Sequence, residues 1–512
     1  MTGATKSTTT ELRAAQLLKG KQVWAFPLGV GSVLVVLMTL FYFGSIVDPT
    51  AHLHGLPVIV VDQDVGATTT SGRVDLGDQV VGALTKTPAV TDRLEVRALS
   101  LSDAEAEMDK GAAYASVVVP SDFTASVLAL AGGPKTASSS ASLPTVELMA
   151  NTRAGTLGVS LAEGVLGPAL ADVSRSVGKH LEAEAAPGGP GTALLADPVT
   201  VLAETYRPLP AHAGLGLSAF YISLLIMMCG FLGATIVNTA VDSTLGYAAS
   251  EIGPRWSQKL PRKITRWQTL VAKWVIAVPA TLLFTGLLMG MAAGLLRMDA
   301  PHWLELWMYG WFAAAVVGIG TLALFAVLGA LGQLLALIVF VYLALASSGG
   351  TVPLQALPGF FRFVASFEPL RQIVGAVRAV LYFNGAGDAG LDRGLLLTSI
   401  GLVFWVAVGA AVTMWYDKKG FHRLRPELVA LIEASARQSR RPAHQPPGPP
   451  AWRRSSAPRR FMALRAPDGG PWSVASWVHH QGVGQGGGSA PPLSRQQGSF
   501  GPVLRAHGLR RL

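Results

Sequence analysis

Cysteine is nearly absent from this chain. Cys229 stands alone among 512 residues, which excludes an intrachain disulfide and any metal site built on several thiolates. Charge is scarce too: 14% of residues are Asp, Glu, Lys or Arg, against about 25% in a soluble domain. The shortage is concentrated in Trp24–Val47, Gly214–Val241, Trp274–Leu296, Leu306–Phe361 and Gly394–Tyr416, which contain no charged residue. About 20 predominantly apolar residues let a helix cross the hydrocarbon core of a bilayer, and Leu306–Phe361 is long enough to do so twice. Six membrane spans are therefore predicted. The first is too long for a signal-peptide core and no small-residue cleavage site follows it, so it is expected to stay as a helix.

Recognisable catalytic and cofactor motifs are also missing. There is no G-x-x-x-x-G-K-[ST] loop to cradle nucleotide phosphates and no G-x-S-x-G nucleophile elbow. Asp62-x-Asp64-x-Gly66 begins like a calcium loop, but its fifth position is Gly66 and its twelfth is Arg73, where that loop needs an acid or amide and a glutamate. It reads as a solvated turn at a strand end. His52-x-His54 has no nearby third ligand for a metal. The expectation is a chain that is not an enzyme, carries no cofactor or metal of its own, and depends on another polypeptide if ATP drives it.

The charges that remain divide the chain. From Asp48 to Arg207 there are 19 acidic residues against 10 basic ones, although the whole chain is +10. The basic excess lies in Lys6, Arg13, Lys19 and Lys21, in Arg255, Lys259, Arg262, Lys263, Arg266 and Lys273, and in Lys418, Lys419, Arg423 and Arg425. Lys and Arg near span ends favour the cytoplasmic side, and six spans place these three groups together. Both termini are expected in the cytoplasm of a bacterial cell, with residues 48–213 outside the membrane. The basic groups serve as topology signals and headgroup contacts rather than as a nucleic-acid site.

The predicted fold is thus a polytopic α-helical membrane protein, arranged one span plus five, with an extracytoplasmic α/β or α+β domain between spans one and two. Residues 1–22 form the N-terminus, where Thr8-x-x-Glu11 matches a capping box and Glu11–Gly20 reads either as an amphipathic helix on the inner leaflet or as a disordered start. Residues 23–47 are span one. In 48–213, Leu56–Asp62, Leu94–Leu99, Tyr114–Val119 and Pro144–Met149 read as strands. Helices are expected at Leu76–Thr85, at Ser102–Lys110 opened by Ser102, from a Ser121 cap to Leu130, and over Gly155–Glu184, with a flexible loop at Gly132–Ser142. Residues 214–416 hold spans two to six, including a loop at 242–273 that is either a docking element or an interfacial loop anchored by Trp256 and Trp267. Residues 417–512 are a basic tail, disordered from about 440 by its Pro, Gly, Ser and Gln content, either inert or drawn to anionic lipid.

The most distinctive segment is SSGGTVPLQALPGFFRFVASFEPLRQIVGAVRAVLYF, residues 347–383. Gly349, Gly350 and Pro353 should end span five, and Pro358 should delay the next helix. Glu368-Pro369 should then restart it with proline at the first position, where a missing N–H costs nothing. Arg371 and Arg378 are seven apart and share a face, and Glu368 is placed to pair with Arg371. The segment reads as a re-entrant hairpin, whose ionisable residues are functional candidates, or as an interfacial anchor with snorkelling arginines.

That segment, together with the one-plus-five layout, resembles the YhgE/Pip-like and DUF3533 membrane proteins of the ABC-2 type permease superfamily over roughly residues 1–425. The resemblance implies an export permease acting as a homo- or heterodimer with a separate ATP-binding subunit and moving an amphiphilic or drug-like cargo. It implies that 242–267 carries a helix that docks on the ATPase, with Arg255, Trp256, Lys259, Arg262, Lys263 and Arg266 as contacts, and that 349–383 forms the outer gate, with Gly349, Gly350, Pro353, Pro358, Glu368, Pro369, Arg371 and Arg378. Members of that branch also include secretion components and phage receptors, so a non-transporting scaffold working through the outer domain is the alternative. Reporter fusions at residues 120 and 260 are expected to report opposite sides of the membrane; a shared compartment would contradict the layout.

Overall fold

The computed structural model describes residues 19, 21–69, 72–131, 144–184, 197–257, 259–421, 423, 430 and 434. The N-terminal Glu11–Gly20 helix, the Gly132–Ser142 loop and the tail from about 440 fall outside the described residues, apart from Lys19. The chain starts with the long apolar helix α1 (Lys21–Ile46), whose Phe41 ring packs against Phe360 and Phe361.

A mixed α/β domain follows. Its elements are β1 (Leu56–Asp62), β2 (Ala67–Thr69), β3 (Gly72–Val74), α2 (Gly77–Lys86), α3 (Pro88–Thr91), β4 (Leu94–Ala98), α4 (Leu101–Asp109), β5 (Ala115–Val119), α5 (Phe123–Ala131), β6 (Thr145–Ala150), α6 (Thr156–Glu184) and β7 (Thr200–Thr205). Five strands form one sheet in the order β4-β1-β5-β6-β7. β1 runs parallel to β4 and β5, β6 is antiparallel to β5, and β7 is parallel to β6.

The continuous apolar run of β1 reflects cover on both faces. Val58 and Val60 face a core shared with Leu84 of α2 and Leu166 and Leu170 of α6. Ile59 and Val61 face the opposite side, against Ala104 and Met108 of α4. Along β6, where buried and half-buried residues alternate, the cover is thinner. β7 is exposed along its whole length and forms one edge of the sheet.

Local signals in this domain were mostly in register, with two shifts. Ser100 rather than Ser102 caps α4, its Oγ accepting the Asp103 N–H at 3.2 Å; a side chain at the cap reaches a donor two or three residues on, and Ser102 is already inside the helix. The plain turn expected after β1 contains the β2–β3 hairpin.

The rest of the described chain is helical: α7 (Ser218–Thr244), then a hairpin of β8 (Ser250–Ile252) and β9 (Arg255–Ser257), α8 (Arg266–Met289) extended by a π-helical turn over Gly290–Leu295, α9 (Trp303–Leu328), α10 (Ala330–Leu337), a second π-helical turn over Ile338–Leu343, α11 (Ala344–Ser347), α12 (Gly359–Ala365), α13 (Pro369–Tyr382) and α14 (Asp392–Lys418). Seven helical stretches among the described residues are long and apolar enough to cross a membrane. Six occupy the expected positions. The seventh, Thr156–Lys179, is the least apolar, with a mean hydropathy of 1.2, and it buries its apolar face against the sheet.

The helix ends differ from the charge-free runs. α7 continues through Thr244 and α8 begins at Arg266, so Asp242 and Lys273 lie within helices rather than in a connecting loop. α9 is the centre of the bundle and is buried along most of its length. Close approach depends on small residues, as is usual where helices pack in lipid. A Cβ on Gly230 of α7 would lie 2.4 Å from the Ala314 carbonyl oxygen of α9, and one on Gly320 would lie 2.9 Å from the Trp405 ring. Gly329 alone joins α9 to α10, with φ 63° and ψ −129°, a conformation open to glycine.

Overpacking a close contact costs about 1–3 kcal/mol. Gly230→Ala is therefore expected to lower the thermal unfolding midpoint of the detergent-solubilised protein by several degrees, whereas Gly290→Ala, with nothing within 4 Å of the added carbon, should leave it nearly unchanged.

Candidate functional site

The chain leaves α11 through Gly349, whose φ of +65° favours glycine. Gly350 follows under the Phe220 ring, where a Cβ would lie 2.2 Å from Cδ2. Pro353 precedes a single 3₁₀ turn over Leu354–Ala356. Pro358 does not delay the next helix as expected; it is the cap residue from which α12 begins at once, since a proline just before a helix removes no intrahelical bond. Ser366–Glu368 then link α12 to α13.

Glu368 caps α13, with Pro369 first inside it. Its Oε1 accepts the Leu370 N–H at 2.8 Å and its Oε2 the Arg371 N–H at 2.9 Å. The expected Glu368–Arg371 side-chain pair is replaced by this cap, because the carboxylate is turned onto backbone donors. Glu368 is only 2% exposed.

The two halves of this segment lie in different hydrophobic cores. Ala346, Val352, Ala356, Leu357 and Phe361 are buried in the same cluster as Val58, Val117 and Leu166 of the α/β domain. Leu370, Ile373, Val377 and Leu381 are buried with α7, α8 and α9. Polar contacts hold the junction. The His54 N–H donates to the Gln355 carbonyl at 3.0 Å. Arg378 donates from Nη1 to the Ala154 carbonyl at 2.8 Å and from Nη2 to that of Gly350 at 3.3 Å. Arg153 answers from the α/β domain, donating from Nη1 to the Tyr382 carbonyl at 3.2 Å and from Nη2 to that of Pro208 at 3.0 Å.

Arg371 lies on the same helix face as Arg378, with its stem beside Gly349. The buried Nε atoms of both arginines have no hydrogen-bond partner among the described residues. Near them stands Tyr114, at the start of β5 and packed against Gly158. Burial pushes its phenol above the usual tyrosine range, while Arg378 and Arg371 pull the other way.

At the far end of the bundle, a second group of charges ties α7, α8 and α14 together. Lys273 is 3% exposed. Its Nζ lies 2.7 Å from Asp242 Oδ1 and donates to Asn238 Oδ1 at 2.7 Å. Arg423 reaches the same Asp242 oxygen at 2.7 Å. Asp417, near the end of α14, accepts the N–H groups of Arg266 and Trp267 at 2.9 and 3.0 Å and so caps α8 from another helix. Arg266 lies over the Tyr416 ring at 5.2 Å and donates from Nε to the Phe421 carbonyl at 2.7 Å.

From sequence, Lys273 and Arg423 read only as topology signals, and Asp242 and Asp417 carry no assigned role. The available signal was Thr265 ahead of Arg266, which starts α8 by capping Gln268 and so places Lys273 about two turns inside a helix.

Of the expected docking residues, Arg255, Trp256, Lys259, Arg262 and Lys263 are exposed. Arg266 is committed to α14 and does not belong with them. The helix implied for this loop is not found between Thr244 and Arg266; the described residues there form the β8–β9 hairpin, which presents Arg255 and Trp256.

The acidic turn after β1 is held together by Asp64, whose carboxylate accepts the N–H groups of Gly66, Gly77 and Thr124. The carboxylates of Asp62, Asp75 and Asp78 lie within 4.8 Å of one another. Partial burial, then repulsion from Asp75, Asp64 and Asp78, raises the Asp62 carboxyl above its usual range, against the pull of the Asp64 N–H. Asp64 spends its oxygens on three backbone N–H groups and on the Thr124 hydroxyl.

Residues 30–406 match the model of a family described as "Protein of unknown function (DUF3533)". No curated protein matches the chain. Among solved structures, the chain is similar to a domain of a putative ABC type-2 transporter from Thermotoga maritima, at 19% identity, covering 29% of this chain and 85% of that one, with a TM-score of 0.21.

Hydrogen bonds to a charged group contribute about 1.5–3 kcal/mol, and a planar guanidinium can serve two carbonyls where an ammonium does so poorly. Arg378→Met, and to a lesser degree Arg378→Lys, are expected to loosen the α/β domain from α13. The readouts are a lower unfolding midpoint and faster limited proteolysis between residues 144 and 213. The exposed Arg362→Met should change neither.

Proposed function

This chain belongs to the DUF3533 family, and we propose that it works as a membrane permease of ABC-2 type, with the α/β domain on the outer side and both ends of the described chain in the cytoplasm. The observation that carries this reading is the segment 347–383, buried half in the α/β core and half in the helical core. A domain merely displayed on an anchor has no need to share its core with the helices. A domain that opens and closes a path through them does. On this reading, α12 and α13 form the outer gate, with Gly349, Gly350, Pro353 and Pro358 shaping its approach and Glu368, Pro369, Arg371 and Arg378 fixing its position. The kinship implied by the sequence extends to YhgE/Pip-like proteins.

The exposed hairpin and the basic stretch after it, with Arg255, Trp256, Lys259, Arg262 and Lys263, form the contact with a separate ATP-binding subunit. Movement imposed there reaches α14 through Arg266 and Asp417. A second copy of the chain, or a related chain, completes the pathway, and the cargo is amphiphilic. β7 favours a second reading: an edge strand exposed along its length is suited to pairing with another protein, as in a scaffold that binds through its outer domain.

Mass spectrometry of the full chain purified in mild detergent from its native membrane tests the first reading. A nucleotide-binding subunit is expected to co-purify. Its yield should fall at least fivefold when Arg255, Lys259 and Lys263 are changed together to Glu, with insertion in the membrane unaltered. Absence of such a subunit, or unchanged recovery after charge reversal, would remove the ATP-driven reading.

A further inference from the structure

Behind the first turn of α13 lies a cavity of about 420 Å³, within the size range of small-molecule pockets. It is walled by α9, the Ile338–Leu343 π-turn, the start of α13 and α14. Its aromatic side is built from Phe340, Phe367, Phe404 and Trp405, with the Phe340 and Trp405 ring centres 5.9 Å apart. Phe367 and Phe404 are 60% and 54% exposed, so the cavity opens on the flank of the bundle that lipid covers rather than toward the α/β domain.

Among the residues lining the cavity, Glu368 is the single ionisable one. Each of its oxygens accepts one backbone N–H, which leaves acceptor capacity on both. It takes part in no salt bridge among the described residues; Arg371, three residues on, attracts it but keeps its stem on the face next to Gly349 and does not line the cavity. Gln372, beside it on the cavity wall, is held by Ala365 and Arg393. An acid facing an apolar space in a membrane protein calls for a compensating partner. Aromatic faces attract a cation, most strongly where water is excluded. Here a carboxyl group and four aromatic rings meet in one space with no cationic side chain lining it.

We propose that this cavity binds a lipophilic cation, a molecule whose apolar body lies among the aromatic walls and whose positive charge lies against Glu368. That such a molecule is cargo rests on the permease reading; that it binds does not.

The test uses the full chain in lipid nanodiscs and two ions of matched shape and opposite charge, tetraphenylphosphonium and tetraphenylborate, with empty nanodiscs subtracted. Saturable binding of the phosphonium is expected, at least tenfold tighter than that of the borate. Glu368→Gln keeps an acceptor for the helix cap and should weaken phosphonium binding at least tenfold. Gly401→Leu leaves the cap untouched and fills the cavity wall where a Cβ has ordinary contact with Val316 at 3.7 Å; it should abolish binding and settles the matter if Glu368→Gln does not fold. Equal affinity for the two ions, no saturable binding above empty nanodiscs, or undiminished binding in Gly401→Leu would overturn the proposal. Binding that holds while proteoliposomes containing the ATP-binding subunit move no phosphonium leaves the site standing and counts against the permease reading alone.

Discussion

The constraint on which the rest of the structure depends is that one stretch of chain, residues 347–383, completes two hydrophobic cores at once. Its first half fills the α/β domain and its second half fills the helical bundle. Apolar burial is non-directional and would by itself leave the two bodies free to rotate about their joint. Orientation comes from directed bonds across it: Arg378 to Ala154 and Gly350, Arg153 to Tyr382, and His54 to Gln355. Glu368 sets where α13 begins and therefore which residues face each core.

The opposite end of the bundle follows another logic. Charges placed among apolar helices are tolerated when paired and hydrogen-bonded, and removing one member of such a pair is costly. Asp242 is shared by Lys273 and Arg423, while Asp417 accepts two further N–H groups at the start of α8, beside the Thr265 cap. The effect is to fasten α7, α8 and α14 at the end from which the β8–β9 hairpin extends.

Much of this was legible in the sequence because lipid imposes a simple rule on composition. Runs without charge located six long helices, and short apolar runs bounded by breakers located β1, β4, β5, β6 and the helices α2, α4 and α5, though not α3. What escaped did so for identifiable reasons. Charge-free runs mark the span that tolerates no ion, not the length of the helix, so Asp242 and Lys273 looked like loop residues although both are helical. Pro358 carries the same letter whether it stops a helix or opens one, and only the extended backbone before α12 decides. The exposed hairpin at Ser250–Ser257 and the edge strand β7 lack the buried alternation that announces a strand. The pairing of Glu368 with Arg371 was a sound inference from spacing, yet a carboxylate at a helix start has nearer donors in the backbone. The division of the 347–383 segment between two cores could not be read from its apolar pattern, because the letters are the same whichever partner covers them.

The single-residue join at Gly329 has a mechanical corollary. With no slack between α9 and α10, a tilt in one drags the other, and the pair must travel as a unit. Compliance on that side then resides in the widened π-helical coil a turn or two beyond, at Ile338–Leu343, where the backbone is already wound outside its preferred pitch. The opposing wall, α14, connects to α13 through a short irregular link that includes Gly387 and Gly390. The cavity thus lies between a pair of helices joined without slack and a helix reached through a glycine-bearing link.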